Sequence, residues 1–192
     1  MAKAKFNNEL ARKILFGIAG AAAAGALIIA LAAMPGLGLV IRELVSWYHE
    51  ASPRDRYRIR KTFEALRRER LIKRQKLPDG TVKLVLSEKG EKKVLQYRFQ
   101  DMRIPRAKQW DGKWRLVIFD IPKSYRYERE VWRHKLKALG FHQLQRSVWV
   151  HAFPCENEID FVSEYLGISQ FIRLVEADKF SSSEDLEETF LL

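Results

Sequence analysis

One cysteine in 192 residues, Cys155, leaves no intramolecular disulfide framework and no multi-cysteine zinc site, and suits a reducing cytoplasm. Six prolines and ten glycines exclude collagen-like and low-complexity architectures. No Gly-Lys-Ser/Thr loop occurs, so the glycines from Gly17 to Gly38 carry no nucleotide-binding signal. Internal repeats are absent as well. Acid is scarce in the middle of the chain: residues 51–110 hold nineteen Lys or Arg against seven Asp or Glu, and residues 111–155 nine against four. Residues 156–192 reverse this, with two against ten. The overall +11 is thus concentrated on residues 51–155. With 47% hydrophobic residues the chain buries a core and is not a disordered polycation. Such an excess calls for a polyanion, either nucleic acid or an anionic membrane face.

From Ile14 to Ile41 there are 28 residues without a formal charge, long enough for a transmembrane helix. Gly17, Ala21 and Gly25 give that stretch a small-xxx-small face. By the positive-inside rule, a span at 14–41 would anchor the chain with its C-terminal part in the cytoplasm. The competing reading is a pair of buried helices, about Asn8–Ala33 and Leu37–Tyr48, broken at Met34-Pro35-Gly36. The stretch is rich in alanine, which transfers little apolar area, and this favours buried helices in a cytoplasmic protein.

Ser52-Pro53 opens the next helix with an N-cap residue and a proline at its first position. Ile59, Phe63 and Leu66 mark its apolar face, running through Arg70. The opposite side projects Arg54, Tyr57, Arg58, Lys61, Glu64 and Arg68, residue types that read guanine edges and grip phosphates. A solvated charged face is the plain alternative. Two strand-like runs, 71–77 and 81–86, then flank Pro78-Asp79-Gly80, a hairpin signal. They carry Arg74, Lys76 and Lys83. Leu86-Ser87-Glu88-Lys89-Gly90 caps a further helix in which Val94, Leu95 and Tyr97 offer apolar contacts. Helices, hairpin and helix in this order resemble a winged helix-turn-helix.

Trp110-Asp111-Gly112 is a turn-like joint to a second unit. Residues 114–121 read as a buried strand ended by Pro122, 124–139 as a helix stopped by Gly140, and 141–145 and 147–153 as alternating strands. A helix at 156–166 and a strand at 171–175 complete a β-α-β-β-α-β order. That order implies a ferredoxin-like sheet with both helices on one face. The fold class expected is therefore α+β, with a winged helix-turn-helix over 1–107, a ferredoxin-like βαββαβ domain over 108–179 and a solvated acidic tail over 180–192.

Val117-Ile118-Phe119-Asp120-Ile121-Pro122, Arg126, Arg129, Leu139-Gly140-Phe141 and the run from Leu144 to Val150 resemble the small CRISPR adaptation endonuclease family. They are equally similar to the middle domain of PaaX-type transcriptional repressors, which join an N-terminal winged helix to such a unit. Those repressors usually carry a further C-terminal domain, which the resemblance over these residues does not include. The resemblance implies a DNA-binding transcriptional regulator: a homodimeric repressor on double-stranded DNA, non-enzymatic and needing no cofactor. Arg54, Tyr57, Arg58, Lys61 and Arg68 would contact bases or phosphates, and Arg74, Lys76 and Lys83 would belong to the wing. The endonuclease resemblance carries the alternative of a Mg-dependent nuclease or CRISPR adaptation subunit using Asp120 as metal ligand. A non-catalytic DNA-holding scaffold is a further alternative. No second carboxylate stands at an obvious partner spacing, so Asp120 is read first as a residue bonding locally at a strand end. Lys123, Arg126 and Arg129 are phosphate-binding candidates. His142, His151 and Cys155 lack paired metal-ligand spacing, and Trp132 and Trp149 are expected in the core or a dimer interface.

Overall fold

Ala11, Ile14, Leu15 and Ile18 recur at the spacing of one helix face, and all four are buried on α1 (Asn8–Ala23). The computed structural model describes residues 8–23, 51–76, 78, 82–180 and 184–191. Of the uncharged 14–41 stretch, residues 14–23 thus belong to α1 and the rest lies outside the described residues, as do Met34-Pro35-Gly36 and the helix expected at 37–48. Among the described residues no helix is long and apolar enough to cross a membrane. The apolar side chains of Ile14, Leu15 and Ile18 serve a protein core instead.

The chain divides into two units, Met1–Arg98 and Phe99–Leu192. In the first, α1 is followed by α2 (Pro53–Arg68), β1 (Ile72–Lys76), β2 (Val82–Leu86) and α3 (Glu88–Asp101), whose last residues pass into the second unit. β1 and β2 pair antiparallel, from Ile72 opposite Leu86 to Lys76 opposite Val82. The Asp79-Gly80 turn expected between them lies outside the described residues. Ile59, Phe63 and Leu66 of α2 pack with the α1 face, Leu71, Ile72, Leu84, Val94 and Tyr97. α2 stops at Arg68, two residues short of the expected end, because Arg70 turns into the left-handed region at φ 58°. There the Leu71 N–H returns to the Leu66 carbonyl at 2.9 Å and closes the helix. Leu95 is exposed rather than packed, since only Val94 and Tyr97 of that trio point at the core.

The run Ser87-Glu88-Lys89-Gly90 ties this unit together. Ser87 Oγ accepts the Gly90 N–H at 3.0 Å and so caps α3, while the Ser87 N–H donates to the Leu71 carbonyl at 3.0 Å. Lys89 Nζ donates to the Glu69 carbonyl at 3.0 Å, satisfying the end of α2. Gly90 is required by space: a Cβ there would lie 2.0 Å from the Leu71 carbonyl oxygen.

The second unit contains β3 (Trp114–Phe119), a 3₁₀ turn at Lys123–Tyr125, α4 (Arg126–Ala138), β4 (His142–Gln145) and β5 (Val148–His151). It continues with α5 (Glu156–Tyr165), a second 3₁₀ turn at Ser169–Phe171, β6 (Ile172–Ala177) and α6 (Glu184–Phe190). The sheet order is β4-β5-β3-β6 with every neighbouring pair antiparallel, the ferredoxin-like arrangement the element order implies. Alternation along β3 assigns its two faces. Val117 and Phe119 meet Trp132, Leu136, Ile159 and Val162 of the two helices, whereas Trp114 and Leu116 face a second cluster with Val150 and Phe153. α4 ends where Gly140 adopts φ 89°, and the Phe141 N–H returns to the Leu136 carbonyl at 3.1 Å.

Two expected boundaries shift. Phe99, Met102 and Ile104 pack against the second core, so that unit begins about nine residues before the boundary expected at Lys108. The C-terminal segment, read as a solvated tail, ends in a docked helix. Leu186 and Phe190 stand four apart on α6 and pack on the Trp114 cluster, and Arg106 donates to the Phe190 and Leu191 carbonyls at 2.9 Å.

Candidate nucleic-acid interface

The start of α2 is fixed by its capped first turn. Ser52 Oγ accepts the Asp55 N–H at 3.2 Å and donates to the Asp55 carboxylate at 2.7 Å. From that start, Arg54, Arg58, Lys61 and Arg68 follow at steps of four, three and seven residues, along one side of the helix. All are exposed, as is Tyr57, while Ile59, Thr62, Phe63 and Leu66 are buried opposite. Arg58 lies 3.6 Å from Asp55 and Lys61 3.5 Å from Glu64. Exposed pairs of this kind are worth about 0–1 kcal/mol and give way to a phosphate. Arg60 and Lys61 also sit over the Tyr57 ring, at 5.8 and 5.7 Å. The helix thus offers a row of cations flanking one exposed aromatic ring.

β1 follows directly. Only Ile72 is buried on it, and Lys73, Arg74, Gln75 and Lys76 are all exposed. Both faces of the strand beyond its first residue are therefore solvent-facing and basic. Lys83 stands opposite Gln75 in the ladder. Arg74 and Lys76, like the five α2 residues, belong to the first unit together with Lys83; Asp120, Lys123, Arg126 and Arg129 belong to the second. Lys73 was not singled out from the sequence. A lysine in a strand does not say which faces of that strand are covered, and beyond Ile72 neither is.

In the second unit Asp120 follows β3, its N–H donating to the Phe171 carbonyl at 3.1 Å. Its carboxylate is exposed and makes no hydrogen bond or ion pair with the described residues, so the local bond is made by its backbone. Lys123 and Arg126 are exposed nearby in sequence, whereas Arg129 is half-buried, with its Nε 4.0 Å from Glu130. His142 is exposed; His151 and Cys155 are buried. His151 Nδ1 lies 3.1 Å from both the N–H and the carbonyl of Phe153, and burial pushes its pKa down. Burial pushes the Cys155 thiol up to about 12, which leaves it an unreactive core group. Among the described residues no group of three or more His, Cys, Asp or Glu could hold a metal ion. Asp120 alone does not make a magnesium site within one copy of the chain. Trp132 and Trp149 are core residues.

Strongly bound charge occurs elsewhere, at the start of β3. Arg115 is buried and donates to both Asp111 oxygens, at 2.7 and 2.6 Å, and to the Ala152 carbonyl at 3.2 Å. Glu176 lies 3.5 Å away and Glu156 3.7 Å, and Lys113 bonds Glu176 at 3.1 Å. The Arg115 guanidinium holds the Asp111 carboxyl down to about 2.

Residues 107–189, which contain this sheet and both helices on its face, match the family of the PaaX protein central Cas2-like domain. The segment is similar to that central domain. Its order of elements and its sheet topology agree with the resemblance carried by the motifs from Val117 to Val150. The helix α2 and the β1–β2 hairpin lie before the matched residues. A search of the curated proteins returned no match. Among solved structures, the uncharacterized protein Rv0674 from Mycobacterium tuberculosis is similar over 94% of this chain and 66% of that one, at 16% identity and a TM-score of 0.37. Within the matched segment the buried Arg115 is matched by Asp111, Glu156 and Glu176, whereas Lys123 and Arg126 have no carboxylate partner among the described residues.

Proposed function

We propose that the chain is a DNA-binding transcriptional regulator, a dimeric repressor in which α2 reads the major groove and the β1–β2 hairpin acts as a wing. The observation that carries this reading is the row of exposed cations on α2, continued by the two solvent-facing sides of β1. These stand on the unit that precedes the PaaX central domain. A helix fits the major groove, where Arg reads guanine and Lys or Arg grips phosphate. In a two-fold dimer built through the PaaX central domain, two such helices would address two half-sites of a palindrome.

Arg54, Tyr57, Arg58, Lys61 and Arg68 are the contact residues of the helix, and Arg74, Lys76 and Lys83 those of the wing. The test is selection of bound duplexes from a random pool at stated salt, followed by titration of the selected duplex. A shared palindrome supports the regulator reading; recovery of unrelated sequences sinks it. Lys61→Ala with Arg68→Ala should weaken binding and lower the slope of log affinity against log salt by about 0.9 for each phosphate no longer neutralised.

A further inference from the structure

The two ends of the sheet in the second unit differ in charge balance. At the start of β3, Lys113 and Arg115 are matched by Asp111, Glu156 and Glu176. At its other end the register brings together segments far apart in sequence. The Phe119 N–H donates to the Ser147 carbonyl at 3.0 Å, and the Asp120 N–H to the Phe171 carbonyl at 3.1 Å. The β4–β5 turn, with exposed Arg146, therefore lies beside the end of β3, from which Lys123 and Arg126 follow within six residues. None of these three cations forms an ion pair with the described residues. Asp120 is the acid at the strand end. Glu130 lies beside Arg129, and Glu128, two residues from Arg126, projects from a different side of α4. Arg173, opposite Ile118 in β6, is also exposed, but its guanidinium folds onto the Gln170 and Ile172 carbonyls at 3.1 and 2.7 Å.

We propose that this end of the sheet, formed by Lys123, Arg126 and Arg146 around Asp120, is a second grip on the DNA sugar–phosphate backbone, separate from α2 and the wing. It rests on the reading of the chain as a DNA-binding protein and adds a site that carries no sequence preference. Three side chains with unneutralised charge at a sheet end suit phosphates, which need point charges and hydrogen-bond donors and no base-edge geometry. Ser124 and Ser147 stand in the same two segments and add hydroxyl donors. Asp120 works against the grip. Its carboxylate repels phosphate, so neutralising it strengthens binding, the opposite of what a metal-ligating or catalytic aspartate gives.

The experiment measures affinity of the full chain for one duplex, against salt, in four variants whose thermal midpoints match the parent. Lys123→Ala/Arg126→Ala/Arg146→Ala is expected to bind about tenfold more weakly at 0.1 M salt, with the slope reduced by roughly 0.9 for every phosphate released. Lys123→Arg/Arg126→Lys/Arg146→Lys, which keeps every charge, is expected to retain binding. Asp120→Asn is expected to bind roughly two- to threefold more tightly. The fourth, Lys61→Ala/Arg68→Ala, separates this proposal from the α2 reading. If it weakens binding while the triple alanine variant leaves affinity and slope unchanged, the second grip is overturned and the helix reading stands. If only the triple variant weakens binding, the second grip stands and the helix reading falls. Weaker binding by Asp120→Asn overturns the repulsive role of Asp120.

Discussion

At the start of β3 two cations, Lys113 and Arg115, meet three carboxylates; where the strand ends, the segments that carry Lys123, Arg126 and Arg146 come together with one, Asp120. The residue types are the same; what differs is the presence of carboxylate partners and, for Arg115, burial. Arg115 has 4% of its side chain exposed, so its charge is held by the fold and is unavailable to a partner. The cations at the other end are solvated, stabilise the fold little, and leave their field to act outward. A basic protein thus uses its charge in two ways, and the sign of a residue does not say which.

Breaking the buried end should produce the largest effect. Arg115→Met removes the partner of Asp111 and the hydrogen bonds to the Lys113 and Ala152 carbonyls, and should cost about 3 kcal/mol in urea unfolding. A shift below about 1 kcal/mol would mean that Asp111, Glu156 and Glu176 do well without it. Next in size is Leu186→Ala, which empties an apolar contact of α6 with the Trp114 cluster and should cost about 2 kcal/mol. It also asks whether the acidic segment is a docked helix or a solvated one, since a tail would show no loss.

A smaller effect concerns pH. Asp111 is depressed from 3.8 to about 2, first by the hydrogen bond from Arg115, so the native state favours its ionised form. Its contribution is fully present above 3.8 and is lost as the pH falls through about 2. In Asp111→Asn, unfolding midpoints followed from about pH 5 to about pH 2 should fall less steeply than in the parent. An identical fall would place the acid sensitivity elsewhere. The smallest effect belongs to the opposite end: Lys123→Ala, Arg126→Ala and Arg146→Ala should each alter stability by no more than about 0.5 kcal/mol. A larger loss would show that these side chains serve the fold as Arg115 does.

Much of the fold was legible in the residues because their patterns are local. Ser52-Pro53 starts α2 and Gly140 stops α4 by backbone requirements that involve only neighbours. The spacing of Ile59, Phe63 and Leu66 names the buried side of α2, and by exclusion the side that carries Arg54, Arg58 and Lys61. The hydrophobic run in β3 and the element order from 114 to 177 were enough for the ferredoxin-like sheet. What escaped has non-local causes. Gly90 reads as an ordinary residue of a helix start until the Leu71 carbonyl is placed 2.0 Å from where its Cβ would stand. The negative charge of the C-terminal segment concealed Leu186 and Phe190, whose partners are some seventy residues earlier at Trp114. Arg146 belongs with Asp120 only through a strand pairing.

The sequence by itself determined most of the helices and strands though not every end, which of their faces are apolar, and that positive charge gathers between residues 51 and 155. These follow from steric preferences and periodicities acting over a few residues. Tertiary structure alone decided which cations are neutralised. Burial and the identity of a partner depend on the sheet register, which sets Asp111, Glu156 and Glu176 around Arg115 and leaves Lys123, Arg126 and Arg146 facing water.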